Sequence, residues 1–171
     1  MTSLPEHRPS TPATPFLIRP CRGDEQATIL AIVNAAAQAY RGVIPEDRWH
    51  DPYMGGDELT REIAAGVTFS ACEADGEVVG VMGIQPVRNV ELVRHAYVRP
   101  DWQGRGVGQA LMERLRQGTS RQVLVGTWAT ASWAIRFYER NGFTVVRFGD
   151  ESNNEEGQPD VQYRWGPADL P

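Results

Sequence analysis

Cysteine and histidine are scarce in this chain, and their positions match no common metal site. The 171 residues include two cysteines, Cys21 and Cys72, and three histidines, His7, His50 and His95. The cysteines lie far apart and form neither a Cys-x-x-Cys pair nor a zinc-ligand spacing. The histidines are equally scattered. We therefore predict that the protein binds no metal ion.

Long apolar segments and an excess of basic residues are also lacking. No apolar run approaches the ~18 residues that a membrane-spanning helix needs. The first residues lack the basic and then apolar order of a secretory signal. The net charge of −5 disfavours nucleic acid as a partner and suits a cationic small molecule. We expect a cytoplasmic protein that contacts neither a membrane nor nucleic acid.

The composition is typical of one soluble globular domain. Apolar residues make up 41% of the chain and charged residues 23%, which is ordinary for such proteins. A chain of this length can bury one sizeable core. Residues 1–15 are rich in Pro, Ser and Thr, a composition that predicts a flexible tail. We place the folded domain at residues 16–166.

The first part of the domain predicts a strand and two helices. The segment "FLIRP" at residues 16–20 predicts the strand. Asp24 is positioned to cap the helix that follows, and apolar residues recur at helical spacing from Ile29 to Tyr40. The segment "DELTREIAAG" predicts a second, short helix that ends at Gly66.

Three β-rich runs follow: "VTFSACEAD", "EVVGVMGIQPV" and "VELVRHAYV". The first two are joined by Asp75-Gly76, a strong hairpin signal. The third follows a turn at Arg88-Asn89. Together they predict an antiparallel meander that ends at Val98.

The second half of the domain alternates helices and strands. A helix is predicted to about Gln117, then the strand "RQVLVGTW", the helix "ASWAIRFYERNG" and the strands "FTVVRF" and "VQYRW". Because a helix connects "VELVRHAYV" to "RQVLVGTW", these two strands should be locally parallel. The predicted class is a single-domain α/β fold. Its mixed central sheet is antiparallel in the N-terminal half, has one parallel pair and carries helices on both faces.

Three glycines stand just before the predicted third helix, in "QGRGVGQ". A helix N-terminus has unpaired N–H groups and partial positive charge, so it favours a phosphate. Gly104, Gly106 and Gly108 would let the phosphate approach, and Arg105 adds positive charge. The stretch lacks the Gly-Lys-Ser/Thr of a P-loop, and glutamine replaces the last glycine of a dinucleotide fingerprint. Taken alone, it predicts either an anion site or a plain glycine-rich turn.

Two blocks together resemble the GNAT superfamily of N-acetyltransferases. The block "AYVRPDWQGRGVGQALM" resembles its acetyl-CoA signature, Gln/Arg-x-x-Gly-x-Gly/Ala after a strand that ends in Val-x-Pro. Gln103, Gly106 and Gly108 fill that pattern, and Val98 and Pro100 fill its lead-in.

The second block, "WAIRFYERNGF" at residues 133–143, resembles the family's Ala-x-x-aromatic-Tyr-Glu-x-x-Gly-Phe pattern. The resemblance covers residues 16–165 and implies a GNAT-type fold. One position departs from it: where the family often has Asn, about seven residues before its tyrosine, this chain has Ala131.

The resemblance implies acetyl-CoA as cosubstrate. In that family the pyrophosphate lies on backbone amides of the glycine loop, and the pantetheine arm pairs with the preceding strand. The two strands beside the arm separate and leave a slot for the thioester. The cofactor-binding residues implied here are Ala96, Tyr97, Val98, Gln103, Gly104, Arg105, Gly106, Val107, Gly108 and Gln109.

Acetyl transfer to an amine needs a proton acceptor, a donor to the oxyanion and an acid for the thiolate. The resemblance gives the acid position to Tyr138, whose alternative role is a core aromatic. A backbone N–H near Ala96 and Tyr97 is the predicted oxyanion donor. His95 and then Glu91 are the candidate bases, since strand alternation places them on one face, and a water chain is the alternative.

Cys72 is predicted to pack in the core, because the family uses direct attack without a covalent enzyme intermediate.

The acceptor site is predicted from "AYRGVIPEDRWHDPYM" and from the polar loop "GDESNNEEGQPD". The first segment combines aromatic and acidic side chains that could receive an amine: Tyr40, Trp49, Tyr53, Glu46 and Asp47. A helix-packing loop is the alternative interpretation.

The predicted function is transfer of an acetyl group from acetyl-CoA to the primary amine of a small molecule. Acetylation of a protein amine and a catalytically weak acyl-CoA-binding regulatory or interaction domain are the alternatives. A homodimer stays open as an assembly.

Overall fold

The structure is a computed structural model and describes residues 15–148 and 161–166. Residues 1–14 of the predicted tail and the polar loop at 149–160 lie outside the described residues. The described secondary structure is β1 (Leu17–Pro20), α1 (Gln26–Ala37), α2 (Gly56–Ala64), β2 (Thr68–Ala74), β3 (Glu77–Val87), β4 (Val90–Val98), α3 (Val107–Gly118), β5 (Gln122–Thr127), α4 (Ser132–Arg140), β6 (Thr144–Phe148) and β7 (Val161–Trp165). The predicted order of strands and helices is confirmed.

The seven strands form one mixed sheet in the order β1-β2-β3-β4-β5-β7-β6. Strands β1 to β4 pair antiparallel, and β4 pairs parallel with β5. Strand β7 lies between β5 and β6 and is antiparallel to both. The predicted α/β class, the antiparallel N-terminal half and the parallel pair are confirmed.

The sheet has a helix pair on each face. The α3 face is covered by α3 and α4, and its buried residues include Val107, Leu111, Met112 and Tyr138. The α1 face is covered by α1 and α2, and its buried residues include Ile29, Val33, Leu59, Phe69 and Val81. Both helix pairs present apolar residues at three- and four-residue spacing, which places them on one side of each helix.

Helix α1 begins without the predicted cap. Glu25, not Asp24, occupies the N-cap position, and no side-chain oxygen caps the helix. The Glu25 carboxylate instead accepts hydrogen bonds from Arg19 at 2.7 and 2.9 Å and from the Arg22 backbone N–H at 2.6 Å. These contacts, led by Arg19, lower the pKa of Glu25 to about 2. The ion pair connects β1 to the start of α1. Its charge-assisted hydrogen bonds are stronger than the bond of a neutral capping side chain.

Among the described residues, no helix has the length and apolar character needed to cross a membrane. That same part of the chain contains no group of three or more His, Cys, Asp or Glu arranged to hold a metal ion.

Candidate active site

Strands β4 and β5 pair over only part of their length. The last parallel pair is Val93 with Val125. Beyond it, β5 continues against β7 alone, while β4 continues against β3 alone. The β4 backbone at residues 96–98 therefore has no strand partner on its β5 side among the described residues. A cavity of about 740 Å³ opens there, and Ala96, Tyr97 and Val98 form one of its walls.

The glycine loop supplies a second wall of this cavity. Gly104 and Gly106 have φ of +75° and +88°, a backbone region that glycine adopts without strain. The first helical bond of α3 runs from the Ala110 N–H to the Gly106 carbonyl, at 3.0 Å. The N–H groups of residues 107–109 precede that bond and have no acceptor within the helix, and these residues line the cavity. The wall can therefore bind an anion such as a pyrophosphate.

Gly108 has a different reason to be glycine. A Cβ added there would lie 3.1 Å from Cε2 and 3.3 Å from Cζ of Phe137, on α4. Close packing of α4 on the start of α3 thus requires the missing side chain. Gln103 also lines the cavity, and its side-chain amide donates to the Val98 carbonyl at 3.1 Å. This bond joins the end of β4 to the glycine loop.

Arg105 lies outside the cavity wall. Its guanidinium stacks over the Trp102 ring at 4.7 Å from the ring centroid. Its predicted contact with the pyrophosphate stays a prediction. Two residues at the end of α4, Arg140 and Asn141, line the cavity instead.

Tyr138 lines the cavity from α4 and is buried. Its ring packs against Phe137, Phe143 and Tyr163, with centroids 5.3 to 6.2 Å apart. Burial, and to a smaller extent the nearby Tyr40, raises the pKa of Tyr138 above its ordinary value. The phenol is therefore protonated at neutral pH and can donate a proton to a group in the cavity.

Strand β4 contains a β-bulge beside the slot. Its register against β3 pairs His95 with Gly83 and Val93 with Ile84, so Arg94 is an extra residue that is opposite no residue of β3. An extra residue shifts the in-and-out alternation of side chains by one position. Two side chains an even number of residues apart, one before the bulge and one after it, therefore lie on opposite faces of the sheet.

The bulge separates the two candidate bases. Glu91 lies on the α3 face, where it lines a small cavity of about 190 Å³ together with Leu111. His95 lies on the α1 face, where its ring stacks on Phe69 at 5.8 Å. The prediction that Glu91 and His95 share one face is wrong, because simple alternation does not allow for the extra residue at Arg94.

Glu62 of α2 holds both residues of the bulge. It shares a hydrogen bond with Nε2 of His95 and lies 3.9 Å from the guanidinium of Arg94. Burial would raise the pKa of Glu62, but the hydrogen bond and charge of His95 and the charge of Arg94 lower it overall. Neither His95 nor Glu91 lines the cavity, although the His95 ring lies 6.3 Å from that of Tyr97, which does.

The predicted acceptor residues divide into two groups. Tyr40 lines the cavity. Trp49 and Tyr53 pack on each other with centroids 5.6 Å apart, and Tyr53 packs on Tyr97 behind the cavity wall. Glu46 and Asp47 are exposed on a short 3-10 helix and do not line it. The polar loop, also predicted to form part of the acceptor site, is residues 149–160 and lies outside the described residues.

Sequence reasoning missed Trp133, Arg140 and Asn141, which line the cavity from α4. Helical spacing was the available signal, because Asn141 lies three residues after Tyr138 and four after Phe137.

Part of the chain matches a known family model. Residues 65–145 match the family model of the acetyltransferase (GNAT) domain. The chain is 35% identical over 82 residues to aminoglycoside N(6')-acetyltransferase type 1 of Stenotrophomonas maltophilia, an alignment that covers 42% of this chain and 54% of that protein. The chain thus spans about half the length of this curated relative. The family-model match and this relative support a GNAT superfamily N-acetyltransferase.

Solved structures show the same fold at low sequence identity. The PaiA N-acetyltransferase of Thermoplasma acidophilum, in complex with coenzyme A, matches with a TM-score of 0.70 and 18% identity over 90% of this chain and 99% of that one. The ribosomal-protein-S18-alanine N-acetyltransferase of Escherichia coli matches with a TM-score of 0.63 and 17% identity over 87% of this chain and 90% of that one.

Proposed function

We propose that this protein transfers an acetyl group from acetyl-CoA to the primary amine of a small molecule. One observation supports it most: the free amides of α3, the unpaired edge of β4 and the protonated Tyr138 all line a single cavity. The coenzyme A bound to the Thermoplasma acidophilum neighbour and the aminoglycoside named for the curated relative agree with this proposal.

In this proposal the cosubstrate is bound mainly by backbone groups. The N–H groups of residues 107–109 receive the pyrophosphate at the positive end of α3. The free N–H and C=O groups of residues 96–98 pair with the amides of the pantetheine arm, as an added strand would. Such binding depends on backbone position more than on side-chain identity.

The chemistry is assigned to three groups. Tyr138 donates its proton to the sulfur that leaves as the amine attacks the thioester carbon. A backbone N–H near Ala96 and Tyr97 stabilises the oxyanion. Water in the cavity accepts the proton of the amine, and His95, whose ring lies 6.3 Å from that of Tyr97, is the side-chain alternative for that role. Glu91 is assigned no role, since it lines the separate small cavity and not the large one.

The test measures thiol release from acetyl-CoA with a panel of amines. All 17 residues counted as lysine or arginine are arginine, so the chain contains no lysine. Acetylation of lysine side chains on the protein itself therefore adds no background. Tyr138→Phe should lower kcat by about 100-fold or more, the usual loss of a general acid, and leave the Kd for CoA nearly unchanged. Unaltered turnover would contradict the acid assignment.

A second pair of variants tests the cofactor site. Gly106→Asp places a negative charge beside the pyrophosphate and should abolish CoA binding, as measured by titration calorimetry. Gly106→Asn is the matched control, because it makes the same demand on the backbone at φ +88° without the charge. Equal affinity in the two variants would show that the anion binds elsewhere. CoA binding without thiol release from any amine would leave a cofactor-binding domain that is not an enzyme.

Acetylation of a protein amine is the second candidate, because the Escherichia coli neighbour is a ribosomal-protein alanine N-acetyltransferase. An alanine-initiated peptide in the same panel distinguishes it from small-molecule acetylation.

A further inference from the structure

One end of the large cavity is lined by small and aromatic side chains. Ala36, Ala39 and Tyr40 contribute from the end of α1 and the turn after it, Tyr97 from β4 and Trp133 from α4. Within the described part of the chain, the cavity wall includes no aspartate or glutamate, and its one charged residue is Arg140.

Tyr40 joins the two sides of the slot. Its ring packs edge-on to Trp133, with centroids 5.2 Å apart. Its hydroxyl interacts with the side chains of Thr127, at the end of β5, and Trp133. These contacts connect the end of α1 to β5 and α4. They fix an aromatic surface at the place where an acceptor would approach the β4 edge.

This surface is uncharged at neutral pH. Burial raises the pKa of Tyr40 above its ordinary value, despite its hydrogen bonds. Burial also raises the pKa of Tyr97 well above its ordinary value, and the neighbouring Tyr53 adds to the effect. Both phenols are therefore neutral, and among the described residues that line this surface the ammonium group of a substrate meets no carboxylate.

An uncharged wall selects among amines by their number of charges. Loss of water around a single ammonium lowers its pKa and favours the neutral amine that attacks the thioester. Aromatic faces stabilise the remaining cationic fraction by cation–π contact. Each further ammonium would lose hydration without gaining a paired carboxylate. Contact of the same wall with an apolar part of the substrate is favourable, because it removes apolar surface from water.

We propose that the acceptor is a primary monoamine with an apolar, aryl-sized body, and that polycationic amines are poor substrates. This inference rests on the proposed acetyltransferase function. It separates the chain from its curated relative, whose name specifies an aminoglycoside.

The experiment compares kcat/KM for four amines with the full chain and acetyl-CoA: 2-phenylethylamine, spermidine, kanamycin and an alanine-initiated peptide. The value for 2-phenylethylamine should exceed those for spermidine and kanamycin by about tenfold or more, equal to about 1.4 kcal/mol. Equal or better turnover of kanamycin, spermidine or the peptide would overturn the inference and leave the acetyltransferase function standing. CoA binding without thiol release from any amine would overturn both.

A charge placed on the wall gives an independent test. Ala39→Glu adds a carboxylate at an exposed position that lines the cavity. Ala35→Glu is the matched control, an exposed position on α1 that does not line it. Ala39→Glu should raise the ratio of spermidine to 2-phenylethylamine turnover by about tenfold, the value of one charge-assisted contact of ~1.5 kcal/mol. An equal change in both variants, or no change in Ala39→Glu, would contradict the inference.

Discussion

Gly80 of β3 lies directly under the first turn of α3, and we predict that Gly80→Ala weakens stability and CoA binding together. A Cβ at Gly80 would lie 2.6 Å from Cγ1 of Val107 and 3.3 Å from Cδ1 of Leu111. Carbon atoms need ~3.5–4.0 Å, so Val107 must retreat by about 1 Å. Val107 is 1% exposed and its β-branched side chain is stiff about χ1, so we expect α3 to shift away from the sheet.

The cost can be estimated in two parts. Overpacking of this kind destabilises a protein by about 1–3 kcal/mol. In a domain of this size each kcal/mol lowers Tm by roughly 2–4 °C. The shift of α3 also moves the amides of residues 107–109. Loss of one hydrogen bond to a charged phosphate costs about 1.5–3 kcal/mol, which corresponds to CoA binding weakened about tenfold or more.

Gly83→Ala is the control, since Gly83 lies three residues further along β3 and faces the other helix pair. A Cβ there would lie 2.9 Å from Cε1 of Phe69 and 3.1 Å from Cγ1 of Val67. The loss of Tm should be similar to that of Gly80→Ala, but the Kd for CoA should stay within about twofold of the parent value. Thermal unfolding and calorimetric titration measure the two quantities. Unchanged CoA affinity in Gly80→Ala, or an equal loss in both variants, would refute the reasoning.

Two carboxylates give further predictions. Glu25→Gln should lower Tm at neutral pH, and the difference from the parent should vanish as the pH falls from about 4.5 towards 2, because a depressed pKa stabilises the folded state only above it. A difference in Tm that is independent of pH would contradict this. Glu62→Gln should cost about 1.5–3 kcal/mol in urea unfolding at neutral pH, the value of a hydrogen bond to a charged group, and the loss should also fade in acid, since the pKa of Glu62 is lowered. An unaltered urea midpoint would show that Glu62 does not hold the bulge.

The features that sequence predicted well depend on neighbours in the chain. Asp75 and Gly76 both have positive φ, 52° and 77°, as expected for the tight hairpin that their dipeptide predicts. The parallel pair followed from chain connectivity, because a helix of this length returns the next strand to the same sheet direction. The wall of free amides at residues 107–109 was predictable from the glycines that precede a helix start.

The features that sequence did not predict depend on distant contacts. The bulge at Arg94 has no local signature, because it arises from the pairing of β4 with β3 and from the contact of Glu62 on α2. The bulge places His95 and Glu91 on opposite faces of the sheet, where simple alternation predicted one face. The stacking of Arg105 on Trp102 and the contact between Gly108 and Phe137 likewise join residues whose proximity only the folded chain defines.

The position of β7 between β5 and β6 has a consequence for synthesis on the ribosome. Strand β5 forms its antiparallel ladder only with Val161–Trp165, and β6 pairs with no other described strand. Until residue 165 has left the exit tunnel, one edge of β5 and the whole of β6 lack hydrogen-bond partners, although the first four strands can already pair. The α4 wall that holds Tyr138 lies between these late strands in the chain. The nascent protein therefore completes its cavity last, so removal of β7 should abolish the proposed acetyl transfer along with the native sheet.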